Sequence, residues 1–242
     1  MKLHRKAVEE VAYWLFLYLI TLELSLVALY LCILLLTGQA FPPFEIEGMM
    51  TLPSFFQAFQ LSTIALISFV LFKTQRSGVE RPSRLFLLTM AVLLFYAAMD
   101  EVFKLHLLLY RWLPSWRPHA EREGFIWMLV ATPTFFYRDF LALWHLYRRE
   151  TLWVLLGLGI FSLGGFSSQL IEYERLSSLL AHFFQQQDLM MLFVEKLRKV
   201  FTELVAMIGE SVILYGVLLL VAKRVENWGY LESQVVSDRY ME

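Results

Sequence analysis

Long apolar runs separated by short polar clusters dominate the chain. The first runs from Val11 to Leu36 and meets Thr37-Gly38-Gln39 and then Pro42-Pro43, the glycine-then-proline punctuation that stops a helix. The second opens at Pro53, where a missing N–H costs nothing in a first helical turn, and continues to Phe72. Further apolar stretches cover 85–110, 125–147, 152–171 and 200–222. Each is long enough to cross a hydrocarbon core, which takes about 20 residues of helix. Between 175 and 199 the pattern changes: Leu176, Leu179, Leu180, Phe183 and Phe184 alternate with Ser, Gln and Asp at helical spacing. That stretch predicts an amphipathic helix lying in the interface.

The expectation is an all-α, polytopic integral membrane protein. It has six transmembrane helices and one interfacial helix in a single domain over 1–222, followed by a short polar tail over 223–242. Pro133 predicts a kink in the fourth span. Gly157, Gly159, Gly164 and Gly165 predict close backbone packing by the fifth.

Composition agrees. Hydrophobic residues make up 58% of the 242 and charged residues 18%, against roughly 45–50% and 25% for a soluble domain. Net charge is −1, which argues against a nucleic-acid partner. The lone Cys32 excludes an intrachain disulfide and a cysteine-built metal site. The first apolar run is too long for a signal-peptide core and reads as a retained span. Under the six-span reading, twelve of the 21 Lys and Arg fall on the N-terminal side and seven on the other, with Lys104 and Arg138 inside spans. That bias predicts that both termini are cytoplasmic. No internal repeat supports an inverted-repeat transporter. The expected partners are the bilayer itself and either other membrane subunits or further copies of the chain.

The polar positions inside the apolar runs carry the candidate chemistry. Glu23 stands near the middle of the first span, and Asp100, Glu101, Lys104 and His106 interrupt the third. Arg138 and Asp139 follow Pro133 in the fourth, and Glu203 and Glu210, seven apart and so on one face, lie in the sixth. Ionisable groups at such depth are costly and face protein or water rather than lipid. Asp100 and Lys104, four apart, are positioned to pair. Six acids stand against two bases. A set so unbalanced, in a low dielectric, requires bound protons, a bound metal cation or water.

The leading expectation is therefore an intramembrane acidic cavity serving transport or a proton-coupled step. Glu23, Asp100, Glu101, Glu203 and Glu210 would bind a proton or cation, with Lys104, Arg138 and Asp139 as the counter-charge set. A second reading is a metal-dependent enzyme acting on a lipid-like substrate. It would have His106 as a ligand, completed by Asp100 and by His119 or His182. No Glu-x-x-His occurs to support a di-iron bundle. A third reading is a structural subunit of a larger membrane complex. There the paired charges, such as Asp100 with Lys104 or Arg138 with Asp139 or Glu210, serve only to set helix register.

Overall fold

The computed structural model describes residues 5–39, 41–45, 48–75, 81–107, 131–170 and 187–239, with side chains described up to 164 and from 190 to 225 in the last two segments. The described residues are helical, without strands. The helices are α1 (Arg5–Thr37), α2 (Leu52–Thr74), α3 (Arg84–Phe103), α4 (Tyr137–Leu146), α5 (Arg148–Leu170) and α6 (Gln187–Arg239), with a 3-10 turn at Pro42–Phe44. Four segments are long and apolar enough to cross a membrane: α1, α2, α3 and the Met190–Val225 part of α6. They mark the chain as a membrane protein. Large apolar side chains on their outer faces, among them Trp14, Tyr18, Phe59, Leu66, Val92 and Phe95, are exposed, while Glu23 and Glu210 are buried. Soluble proteins rarely expose so much contiguous apolar surface.

Local chemistry sets the helix ends. α1 stops at Gly38, whose positive φ of 68° and N–H to Leu34 O close the last turn. α2 starts at Thr51 with a reciprocal cap, in which Ser54 N–H donates to Thr51 Oγ1 and Thr51 N–H donates to Ser54 Oγ. α3 starts at Ser83, whose Oγ accepts from Phe86 N–H at 3.2 Å.

α3 ends at Phe103 rather than continuing to 110. Lys104 turns left-handed at φ 48°, a conformation that costs roughly 1–2 kcal/mol for an ordinary residue. The polar cluster offsets that cost. Lys104 Nζ reaches Glu101 Oε2 at 3.1 Å, and Asp100 accepts from His106 N–H at 2.8 Å and meets His106 Nδ1 at 2.7 Å. The expected Asp100–Lys104 pair gives way to Glu101–Lys104 and Asp100–His106. The reason is that the helix on which a four-residue spacing would align Asp100 with Lys104 stops between them.

Of the two other expected spans, 152–171 falls almost wholly within α5. The stretch 125–147 is described from 131, as a helical piece over 131–135 and then α4 after a break at Phe136, three residues past Pro133. α6 runs unbroken from Gln187 to Arg239, so the interfacial helix over 175–199 and the span over 200–222 are not separated where the two join, and the helix reaches into the expected tail. Apolar Leu192, Phe193 and Val200 pack on α1 there, which keeps this part of the helix against the bundle rather than on a bilayer surface. The Trp- and Pro-rich connection over 111–118, His119, His182 and residues 175–186 lie outside the described residues.

α6 is the central element and packs along α5, α1 and α2, while α3 packs on α2. The α5–α6 seam is a backbone contact. A Cβ on Gly209 would lie 2.5 Å from Phe161 N, one on Gly157 2.6 Å from Ile213 N, and one on Gly164 2.9 Å from Ala206 N. Gly159 faces open space and takes no part.

Candidate functional site

α1, α2 and α6 meet where each carries a buried polar side chain. On α1, Thr21 and Ser25 satisfy themselves by donating to the carbonyls of Leu17 and Thr21. Glu23 has no such local solution. One face of its helix packs on α6, and this places the carboxyl, 0% exposed, against that helix. Gln60 on α2 and Ser211 on α6 are also 0% exposed and complete a closed triangle with it. Gln60 Nε2 donates to Glu23 Oε1 at 2.8 Å and to Ser211 Oγ at 2.8 Å, and Ser211 Oγ donates to Glu23 Oε1 at 2.6 Å. Two of the three hydrogen bonds in the triangle end on one carboxyl oxygen, Glu23 Oε1. Glu23 Oε2 and Gln60 Oε1 have no hydrogen-bond partner among the described residues.

Glu210, one residue before Ser211, is buried to 1% exposure, and neither of its carboxyl oxygens has a hydrogen-bond partner among the described residues. The charges of Glu101, Glu23 and Glu203 act on it. Glu203 accepts a bond from Gln57 Nε2 at 3.4 Å. Four orphaned oxygens from three helices thus lie buried in this part of the bundle, and each can only accept unless a proton is added. Among the described residues no Lys or Arg forms an ion pair with Glu23 or Glu210.

The sequence-derived set therefore divides. Glu23 and Glu210 are buried on α1 and α6, while Glu203 meets Gln57 and Glu101 meets Lys104. Asp100, Lys104 and His106 form the end of α3, and Lys104 compensates Glu101 rather than the deeper carboxyls.

Arg138 and Asp139 are elsewhere. Arg138 is exposed, with Nε donating to Tyr137 Oη at 3.0 Å, so it is not a counter-charge of the centre. Asp139 is buried against the start of α3, where it accepts from Arg81 Nη1 at 2.9 Å, Ser83 N–H at 2.7 Å and Ser83 Oγ at 2.7 Å. Burial pushes the Asp139 carboxyl up. The bonds from the Arg81 and Ser83 side chains and from Ser83 N–H, together with the Arg81 charge, outweigh burial and leave it below the ordinary aspartate value. Phe136 breaks the fourth apolar run just before these residues, so α4 turns Asp139 to Arg81 instead of carrying it toward α6.

Gln57, Gln60 and Ser211 are the site residues that sequence reasoning missed. Their signal was present: Gln57 and Gln60 are two of the few polar side chains on α2 and are three apart. Gln60 is the larger omission, since it holds both other members of the triangle. As for metals, among the described residues no three His, Cys, Asp or Glu side chains are grouped so that they could hold an ion.

No known protein family, curated protein or solved structure matches the chain. A functional reading rests on the geometry itself.

Proposed function

We propose that this membrane protein binds and releases a proton at a carboxyl centre made by Glu23 and Glu210, and couples that step to transport or to a change in helix packing. Gln60 and Ser211 position Glu23, and Glu101 and Glu203 are the neighbouring carboxyls. One observation carries the reading: Glu210 is buried and, among the described residues, makes no hydrogen bond and has the charges of three carboxyls and of no base acting on it. An isolated carboxylate in such a place is untenable without a bound proton or cation. The donor arrangement favours the proton. Gln60 gives Glu23 Oε1 an N–H, whereas a metal cation would draw oxygens toward that carboxyl.

The test is infrared spectroscopy of purified protein in lipid. A carboxylic acid C=O band should appear and vanish with pH, and Glu210→Gln or Glu23→Gln should remove part of it. A spectrum unaffected by both substitutions would overturn the proposal. If the same variants only lower stability or assembly, the carboxyls are architectural and the subunit reading replaces this one. Metal analysis of the same preparation addresses the alternative of an intramembrane enzyme with His106 as a ligand. A stoichiometric metal lost on His106→Ala would favour it.

A further inference from the structure

We infer that the carboxyl centre exchanges protons with one face of the membrane only, the face carrying the 38–51 connection, and that Glu101 is the relay residue. The inference rests on the proton-binding reading above. The acidic residues alone would not carry it. Gln60 Oε1, buried and unpartnered beside Glu23, together with the two bare oxygens of Glu210, shows that the centre is built with acceptor capacity that the described side chains leave unfilled.

Polarity around the centre is lopsided. Toward the 38–51 connection, the α6 face bearing Glu210 carries Glu203 and then Lys196, at seven-residue intervals. Glu203 meets Gln57, and Lys196 Nζ meets Glu45 Oε1 at 3.1 Å. α3 adds Glu101 with Lys104 at 3.1 Å. The α1–α6 seam on that side is apolar, filled by Val27, Tyr30 and Met207, so the polar path lies between α2, α3 and α6.

Away from the connection, the centre is sealed by a cluster of Leu19, Ile64 and Leu214, backed by Leu15, Ile67 and Val217. At that depth Ser68 Oγ donates to its own helix at Ile64 O, and the Tyr215 ring packs against Phe16 and Trp153. The next ion pair described along α6 is Lys223 with Glu150 at 3.7 Å. It is thirteen residues from Glu210, or about 20 Å of helix.

Glu101 is the better relay of the two nearby carboxyls. Glu203 is separated from Glu210 by seven residues of one helix, about 10 Å of rise. Glu101 comes from another helix, α3, whose end lies against the connection, where Met50 N–H donates to Val102 O at 3.2 Å, and its side chain is 28% exposed. Of the helices packed on α6, α1 brings Glu23, α2 has no ionisable residue between Leu52 and Phe72, and α5 has none between Thr151 and Leu170. A proton from water on the connection face is taken by the Glu101 carboxylate, which releases Lys104. It passes to a Glu210 oxygen, and Glu101, ionised again, recovers Lys104. Release follows the reverse order, and nothing beyond water and one proton is consumed.

The test uses the full chain in oriented proteoliposomes and a membrane-permeant carbodiimide, which modifies protonated carboxyls. Modified Glu210 and Glu23 are then read by peptide mass spectrometry. A Glu45→Cys marker in a Cys32→Ser background reports which face points outward. Acidifying the connection face alone should raise Glu210 modification, and acidifying the opposite face alone should not. Glu101→Gln should slow the rise at least tenfold while leaving its final extent unchanged when both faces are acid. Equal responses to the two faces, or a response to the opposite face, would overturn the sided route while leaving the proton centre standing. Failure to modify either carboxyl with both faces acid would remove the centre itself. The sidedness measurement needs no relay variant, so poor folding of Glu101→Gln does not weaken it. A normal rate in Glu101→Gln would remove Glu101 as the relay.

Discussion

Ser211 Oγ lies 2.6 Å from Glu23 Oε1, a hydrogen bond between the first and last apolar helices across 188 positions of sequence. Gln60 donates to both atoms, so α1, α2 and α6 are joined at one point inside the bundle. Removing either donor leaves a buried carboxyl oxygen with half its partners. Gln60→Leu or Ser211→Ala should each destabilise by about 1–3 kcal/mol. Because the bonds share Glu23 Oε1, the double variant should cost less than the sum, with a coupling of at least about 0.5 kcal/mol. Thermal unfolding of the single and double variants in one detergent would measure this, and strict additivity would contradict the triangle.

Glu210 predicts the opposite sign. Its carboxyl forms no hydrogen bond among the described residues and is almost wholly buried, so it contributes desolvation cost without compensation from them. Replacing an unsatisfied buried polar group with an apolar one of similar shape is neutral or stabilising. Glu210→Leu should therefore raise the unfolding temperature, or leave it unchanged, while abolishing the carboxylic infrared signal assigned to this residue. A large loss of stability would indicate that Glu210 has a partner its geometry does not suggest.

The glycines of the α5–α6 seam should divide sharply. A Cβ on Gly209 meets the backbone of Phe161 at 2.5 Å, and backbone cannot move aside as a flexible side chain can. Gly209→Val should cost about 3 kcal/mol or more, the upper end of what overpacking does. Gly159 has nothing within 4 Å, so Gly159→Ala should be neutral or stabilise by up to about 1 kcal/mol. Expression and thermal stability of the two variants, compared side by side, would check both.

Asp139 should make the junction of α3 and α4 acid-sensitive. Its carboxyl is held below the ordinary aspartate value, against burial, by Arg81 and Ser83. A depressed carboxyl stabilises the fold fully above its unfolded value of about 3.9, and loses that contribution as pH falls through the lower folded value. Stability measured from neutral pH downward should drop more steeply below that point in the native chain than in Asp139→Asn. Asp139→Asn should also be less stable at neutral pH. Parallel curves would mean that the Arg81–Asp139 pair contributes nothing.

The apolar runs alone determined that the chain is helical and suited to a membrane, because crossing hydrocarbon demands an uninterrupted stretch of apolar helix and leaves that stretch visible in sequence. They also marked Glu23 and Glu210, since a charge in such a run is conspicuous wherever it points. Where the polar cluster at Asp100–His106 stood for depth in the sequence, the structure turned it into a helix stop, through a left-handed Lys104 and two local charge pairs. Arg138 faced outward because α4 begins after the break at Phe136, an orientation that residue spacing within one helix does not encode.

Gln60 and Ser211 were ordinary polar letters until three helices came together. Gly209 was an isolated glycine until α5 lay against it. Which groups meet depends on the rotation and crossing of separate helices, set by side-chain packing over the whole bundle. Only the tertiary structure could decide that, among the described residues, no Lys or Arg pairs with Glu23 or Glu210, and that Leu19, Ile64 and Leu214 of three different helices pack into one apolar cluster.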